Sequence, residues 1–547
     1  MKPHPMTSTA ATGRRAHQGS IGVLSASLLV LGLTALGLLA LCSCGGSSTS
    51  AVSQAVHRSP APAANLSWTR TPLDPGPLED HWDGLGVLRD GRVWVAWGEW
   101  WNWSGEASSS LRDAKLGPSA VWTSADGLHW TRSLRLPMAK SALISKVVRW
   151  KGGLVAVGTE GSRPTNLGNV AFGHPVTWTS RGGVVWRRSP DQESLRYSGA
   201  DRRNHAADAG EVAAGGRYLI MTGSDWWDAA SYSVPRIWAS SDGLTWKRAA
   251  IASEAKSSYP DTIVTGGPVL LALGECWDDP AGSMRHTIWT SADGRVWRAA
   301  DTSAMSHAAV TTDIEVVAGG PGFVAYGRDS RSAKTPTGWG KGVGPVAIWT
   351  SADGRTWSQI ADPGFGPAAE IVGMAAGGPG LIAYGQEGGL IGGEQSPFWK
   401  SSWGYGPHWG HAAVWTSSDG RRWQKVTHFA PLDNGNTATS EPDPERAGDT
   451  VVFSLLSIRG GWVALGARTV SRTEMESAGM TPSVESGRLL LWTSRDAQQW
   501  TPYIGDQLVD GYALSPPVVS QGRVLVVGRD ERLSKACAWS VSLPAIR

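Results

Sequence analysis

The chain has 547 residues, 18% of them charged and 41% hydrophobic, which excludes both a charge-rich disordered segment and a polytopic membrane protein. Of the 50 Lys+Arg, three (Lys2, Arg14 and Arg15) lie in the first 43 residues, which carry no acid, and the remainder balances at 47 against 47. A polyphosphate ligand needs clustered positive charge, so nucleic acid is not an expected partner.

The first element is an export signal, residues 1–43. Lys2, Arg14 and Arg15 form a positive start, Ile21 to Leu41 is an uncharged and mostly apolar stretch, and Cys42 and Cys44 follow at once. Leu41-Cys42-Ser43-Cys44-Gly45-Gly46 resembles a bacterial lipobox, with Cys44 as the lipid acceptor because the small Ser43 precedes it. An uncleaved helix is the alternative, since 21 residues at about 1.5 Å each can cross a bilayer. Both readings leave the remainder extracytoplasmic, anchored to the outer face of the cell membrane. Residues 44–65, rich in Ser, Ala and Pro, cannot pack and read as a flexible tether. Beyond them only Cys276 and Cys537 remain, and two cysteines so far apart are expected to stay as free thiols.

From residue 66 onward the sequence repeats. Trp122-Thr123-Ser124-Ala125-Asp126-Gly127-Leu128-His129-Trp130 returns from Trp178, Trp238, Trp289, Trp349, Trp415 and Trp492. Six of these seven copies keep an acid four residues after the first Trp: Asp126, Asp242, Asp293, Asp353, Asp419 and Asp496. An apolar run ending in Trp-Thr-Ser, a Ser-x-Asp-Gly turn and a second Trp describe a β-hairpin, because Asp suits a type I turn and Gly supplies the left-handed residue of a bulged loop. The second copy has Gly182 in place of Asp and the seventh has Ala497 in place of Gly, so no single Asp is a universal ligand.

Upstream of each copy stands another hairpin, an apolar strand, a Gly-containing turn and a short strand ending in Gly, as in Gly152-Gly153-Leu154-Val155-Ala156-Val157-Gly158. One unit is thus four strands, A to D. The last unit closes with Ala538-Trp539-Ser540 and has no D strand, whereas Leu66-Ser67-Trp68-Thr69-Arg70 looks like an orphan D strand. Joining them predicts an all-β chain over residues 66–547: an eight-bladed β-propeller of four-stranded antiparallel blades whose last blade is completed by the N-terminal strand, with seven blades as the fallback. Closure would remove the exposed sheet edges that invite aggregation.

The Ser-x-Asp-Gly-x-x-Trp motif resembles a one-residue-shorter form of the Asp-box, or bacterial neuraminidase repeat, found in sialidases and other extracytoplasmic propellers; with the signal, it points to a lipoprotein of bacterial, and more narrowly actinobacterial, type. The resemblance implies structural roles for the six Asp residues, each capping its own turn, and for the paired Trp residues, packed between blades opposite the active face. It supplies no catalytic residue here, and an arginine triad with a Tyr nucleophile cannot be assembled.

Sixteen of the 31 Trp belong to C and D strands. Ten of the rest fall in the B-to-C connections: Trp100, Trp101, Trp103, Trp226, Trp227, Trp277, Trp339, Trp399, Trp403 and Trp409. Aromatic faces beside Gly, Ser and carboxylates suit sugar rings or protein anchors, although long loops also bury Trp to hold themselves down. Just after strand B comes an acid in seven units, namely Glu99, Glu160, Asp225, Glu275, Asp329, Glu387 and Asp530, with Arg468 in the remaining one. If the register holds, these ring one mouth of the channel; the alternative is solvated strand ends or turn caps. His408 and His411 lack a third ligand at metal spacing, so neither a metal nor a cofactor is expected. The leading function is binding of a glycan or an envelope protein on the Trp-rich loop face, and the other reading is a sialidase-like glycoside hydrolase.

Overall fold

The computed structural model describes residues 63–73, 81–102, 115–116, 119–133, 142–161, 163–164, 170–171, 173–196, 205–227, 233–252, 258–276, 285–306, 314–328, 345–367, 369–377, 380–387, 410–430, 432, 448–477, 486–510, 514–530 and 535–546. They form an eight-bladed β-propeller of four-stranded antiparallel blades. Strands A to D are His81–Asp90, Val93–Asn102, Ala120–Ser124 and Thr131–Arg132 in blade 1, and Leu143–Trp150, Gly153–Glu160, His174–Ser180 and Trp186–Arg188 in blade 2. Blade 3 has Val212–Gly215, Tyr218–Trp227, Ser233–Ser240 and Lys247–Arg248; blade 4 has Ser258–Val264, Leu270–Cys276, Arg285–Ser291 and Val296–Ala299. Glu315–Gly319, Gly322–Arg328, Val346–Ser351 and Ser358–Ile360 make blade 5, and Ala369–Gly377, Gly380–Glu387, His411–Ser417 and Gln424–Lys425 make blade 6. Blade 7 consists of Thr450–Ile458, Gly461–Thr469, Ser486–Ser494 and Trp500–Asp510. In blade 8, Val518–Ser520, Arg523–Asp530 and Lys535–Ser542 are joined by Thr69–Pro72 as strand D.

The core is divided among the seams. Eight hydrophobic clusters correspond one to one with the eight blade–blade interfaces. The strand-C Trp of every blade is buried in one of them, from Trp122 to Trp539, because a large flat ring fills the widening gap between twisted sheets. Each C–D turn is fastened locally. In blade 1 the Ser124 hydroxyl accepts from the Gly127 N–H at 2.9 Å, and Asp126 Oδ1 accepts from the N–H groups of Leu128 and His129 at 2.8 and 2.9 Å. Asp242, Asp293, Asp353, Asp419 and Asp496 accept from the backbone two residues on in the same way. Blade 2, which lacks the acid, keeps the Ser180 bond to the Gly183 N–H at 3.0 Å.

Ring closure occurs where the sequence places it. Thr69, Arg70, Thr71 and Pro72 pair antiparallel with Ser540, Trp539, Ala538 and Cys537. The strand segment starts earlier than the predicted boundary at residue 66: Ala64–Leu66 lies parallel to Tyr503, Ile504 and Gly505 on the outer edge of blade 7. Between the two contacts the Asp506 carboxylate accepts from the Ser67 hydroxyl at 2.7 Å and the Trp68 N–H at 2.8 Å. On the seam between blades 8 and 1, buried Arg89 donates to the carbonyl oxygens of Gly91 and Ala125 and to Gln521, so closure is tied from both sides.

Candidate functional site on the loop face

Strand A packs against strand A of the neighbouring blade at seven of the eight seams, all but that between blades 7 and 8, so the A strands line the central lumen and the D strands form the outer wall. Antiparallel order then sends every B-to-C and D-to-A connection out of one end of the ring, and every A–B and Asp-capped turn out of the other. Trp100, Trp101, Trp226 and Trp227 sit at the loop-side ends of strands B, in described backbone. Trp103, Trp277, Trp339, Trp399, Trp403, Trp409, Asp329 and His408 lie outside the described residues, as do Cys44 and the whole of residues 1–62, where the sequence predicts the signal and most of the tether. Among the described residues no group that could hold a metal ion is found, and no helix is long and apolar enough to cross a membrane.

The acids at the ends of strands B occupy two register positions. Glu99 and Glu275 directly follow the glycine that ends the apolar run, whereas Glu160, Asp225, Asp329, Glu387 and Asp530 stand one residue further. Consecutive positions of a pleated strand face opposite sides. The four described side chains of the second set are held inside their own blades. Glu160 takes Arg188 of strand D in a fork, with contacts of 2.6 to 3.0 Å. Asp530 meets Arg70 of the closing strand at 2.5 Å, and Glu387 meets Lys425. Asp225, fully buried, is paired with Arg236 of strand C at 2.8 Å. Arg188, Lys425 and Arg70 all stand two residues after the strand-D Trp, so this brace is itself a repeat feature. Glu160 pushes the Arg188 guanidinium further above its ordinary range, as a buried counter-ion should.

Inside the lumen the structure assembles groups that the sequence reading passed over. Lys146 of strand A in blade 2 reaches Glu211, next to strand A of blade 3, at 2.5 Å. Glu315, first residue of strand A in blade 5, accepts a hydrogen bond from the Tyr326 hydroxyl. Glu315 is exposed to the lumen yet walled by protein, and that burial pushes its carboxyl above the usual range against the opposing pull of Tyr326. Nearby, Arg328 of blade 5 bridges to Glu370 of blade 6 at 3.1 Å, and the Gln386 amide donates to the same carboxylate at 2.5 Å. Gln386 also accepts from the Gly410 N–H at 2.9 Å, which fixes where the longest B-to-C connection re-enters blade 6. For Lys146, Glu315 and Glu370 the available signal was a charged residue within a mostly apolar strand A; Arg328 and Gln386 lie in strands B, and Glu211 just before a strand A.

Blade 7 departs from the pattern. Arg468 replaces the acid of strand B and Pro502 replaces the base of strand D. Arg468 lies directly across from Arg488 of strand C. Arg488 donates to Glu474 on the short helix Arg472–Ser477 and to the carbonyl oxygens of Gly505 and Asp506.

No family model and no curated protein matches the chain. Among solved structures it is similar to a protein of unknown function from Dyadobacter fermentans, with 12% identity over 88% of this chain and 100% of that one and a TM-score of 0.36. It is also similar to a beta-fructofuranosidase of Bombyx mori (10% identity, 89% and 94% covered, TM-score 0.30) and a sucrose-6-phosphate hydrolase from Lactobacillus gasseri (9%, 88% and 93%, TM-score 0.31). Likeness at this level carries no argument about the chemistry of this chain.

Proposed function

We propose that the chain is an exported, membrane-tethered ring that binds a glycan or an envelope protein through its loop face. The observation that carries this reading is topological: the connections that hold ten of the fifteen Trp outside the C and D strands all leave the ring at one end. The braced acids favour binding over hydrolysis, because Glu160, Asp225, Glu387 and Asp530 already serve cations of their own blades. Export and lipid attachment at Cys44 rest on the N-terminal sequence.

One observation favours the second reading, a sialidase-like glycoside hydrolase. The lumen beside blades 5 and 6 holds two carboxyls in unlike surroundings, Glu315 raised by burial and Glu370 fixed by Arg328, and unlike carboxyls are what acid/base chemistry on a glycosidic bond uses.

Residues 51–547, which contain every described strand, can be placed on a glycan array beside a panel of fluorogenic glycosides and sialosides. Binding without turnover, weakened by Trp226→Ala and Trp227→Ala, is expected. Turnover that disappears in Glu315→Gln would replace this reading with the hydrolase.

A further inference from the structure

Blade 7 has lost both halves of the brace that blades 2, 6 and 8 keep, and the loss is not a simple deletion. In blade 4 the two positions are neutral, Cys276 and Ala299. Blade 7 has a second cation where the acid was, and sets it opposite another: Arg468 pairs in register with Arg488. Directly opposed side chains in an antiparallel pair start about 5 Å apart, and like charges there are unfavourable unless an anion joins them. Glu474 supplies an anion to Arg488. Among the described residues no carboxylate is paired with Arg468, and burial, with Arg488 next, lowers its guanidinium from the ordinary range, which Glu474 opposes. Both arginines stand at the loop-side ends of their strands, on the face that gathers the Trp-bearing connections.

We propose that Arg468 and Arg488 form a subsite for the anionic substituent of an acidic glycan, a carboxylate or sulfate on the sugar, and that Glu474 is its built-in competitor. The inference rests on the glycan half of the reading above and adds the charge class of the ligand. Arginine suits the role because its planar fork meets a carboxylate or sulfate with two parallel hydrogen bonds. Arrival of the ligand anion satisfies Arg468 and displaces Glu474 from Arg488, so no charge is left buried alone. The two substitutions therefore have opposite expected signs, which a merely structural salt bridge does not produce.

The test is calorimetric titration of residues 51–547 with three probes: an oligouronate, a sulfated oligosaccharide and the carboxyl-reduced neutral counterpart of the first. Arg468→Gln should weaken the acidic probe at least tenfold, and Glu474→Gln should strengthen it at least threefold, while neither moves the neutral probe. Which acidic probe responds identifies the source of the anion. A common thermal midpoint and near-ultraviolet spectrum across the variants establish that the fold is intact; Arg468→Lys, which retains charge without the fork, should fall between parent and Arg468→Gln. Unchanged affinity in both variants, or a shift of both in one direction, overturns the subsite. Binding of the neutral probe without either acidic one overturns the subsite and leaves the glycan reading standing, whereas failure of all three overturns both.

Discussion

At Gly243 the backbone has a φ of 76°, and an added methyl carbon would lie 2.5 Å from the side chain of Val155 in the preceding blade. Two demands coincide there, a left-handed turn and close approach of one blade to the next. Gly243→Ala should cost about 2 to 4 kcal/mol, the sum of left-handed strain and overpacking, read as a lower urea midpoint. Blade 7 meets the same demand with Ala497 at a φ of 64°, fully buried in its seam, so Ala497→Gly should shift stability by less than about 1 kcal/mol. An unaltered midpoint in Gly243→Ala would refute the seam argument. The turn acids add a pH dependence. The Arg355 N–H foremost holds the Asp353 carboxyl below its usual range, and the Arg421 N–H does so for Asp419. A depressed folded pKa gives stabilisation that is complete above the unfolded value of about 3.9 and lost as pH falls through the folded one. The Asp353→Asn, Asp419→Asn double variant should therefore show a smaller fall in urea midpoint between pH 5 and pH 2 than the parent. Glu315 runs the other way, because its folded pKa is raised. Its contribution is whole below about pH 4 and fades as pH rises through the folded value, so Glu315→Gln should flatten the profile on the neutral side.

A strand carries its information in pairs, and this decides what could be read in advance. The C–D hairpin was legible because its turn chemistry and both Trp residues lie within nine consecutive positions, and the orphan strand because Trp68-Thr69-Arg70 repeats Trp130-Thr131-Arg132. The brace was not: Glu160 and Arg188 are 28 residues apart, and only the register of strand C between them sets one beside the other. Most predicted Trp ligands lie outside the described residues, whereas Lys146, Glu315 and Arg328 were passed over because a charged residue in a short, mostly apolar strand has no local partner to announce it. The brace can be measured by a double-mutant cycle on Arg70 and Asp530. Asp530→Asn and Arg70→Gln should each destabilise, and the pair should show a coupling of about 1 to 3 kcal/mol, since one partner removed leaves the other poorly solvated in the sheet. Strict additivity would mean that the repeated ion pair does not link strands B and D.

A ring differs from a stack in that its ends must find each other, and here the burden falls on nine residues. Ala64–Pro72 touches blade 7 and blade 8 in succession, parallel to one and antiparallel to the other, with the Asp506 carboxylate pinning the bend. Deleting Ala64–Pro72 should leave Lys535–Ser542 as an open edge, and an unpaired edge strand invites association, so size-exclusion chromatography should show oligomers and the thermal midpoint should fall. Connectivity itself should matter little. A permuted chain that begins at Leu73 and carries Ala64–Pro72 after Arg547 turns the borrowed strand into the second arm of a C–D hairpin, with residues 543–547 and 64–68 in the intervening connection. It should remain monomeric and unfold cooperatively near the parent midpoint, because every pairing in blade 8 is preserved and only the loop-closure entropy changes, slowly, with length. If instead the permuted chain and the deletion behave alike, the segment acts through its attachment to the residues that precede it, and pairing with the last blade is not what closes the ring.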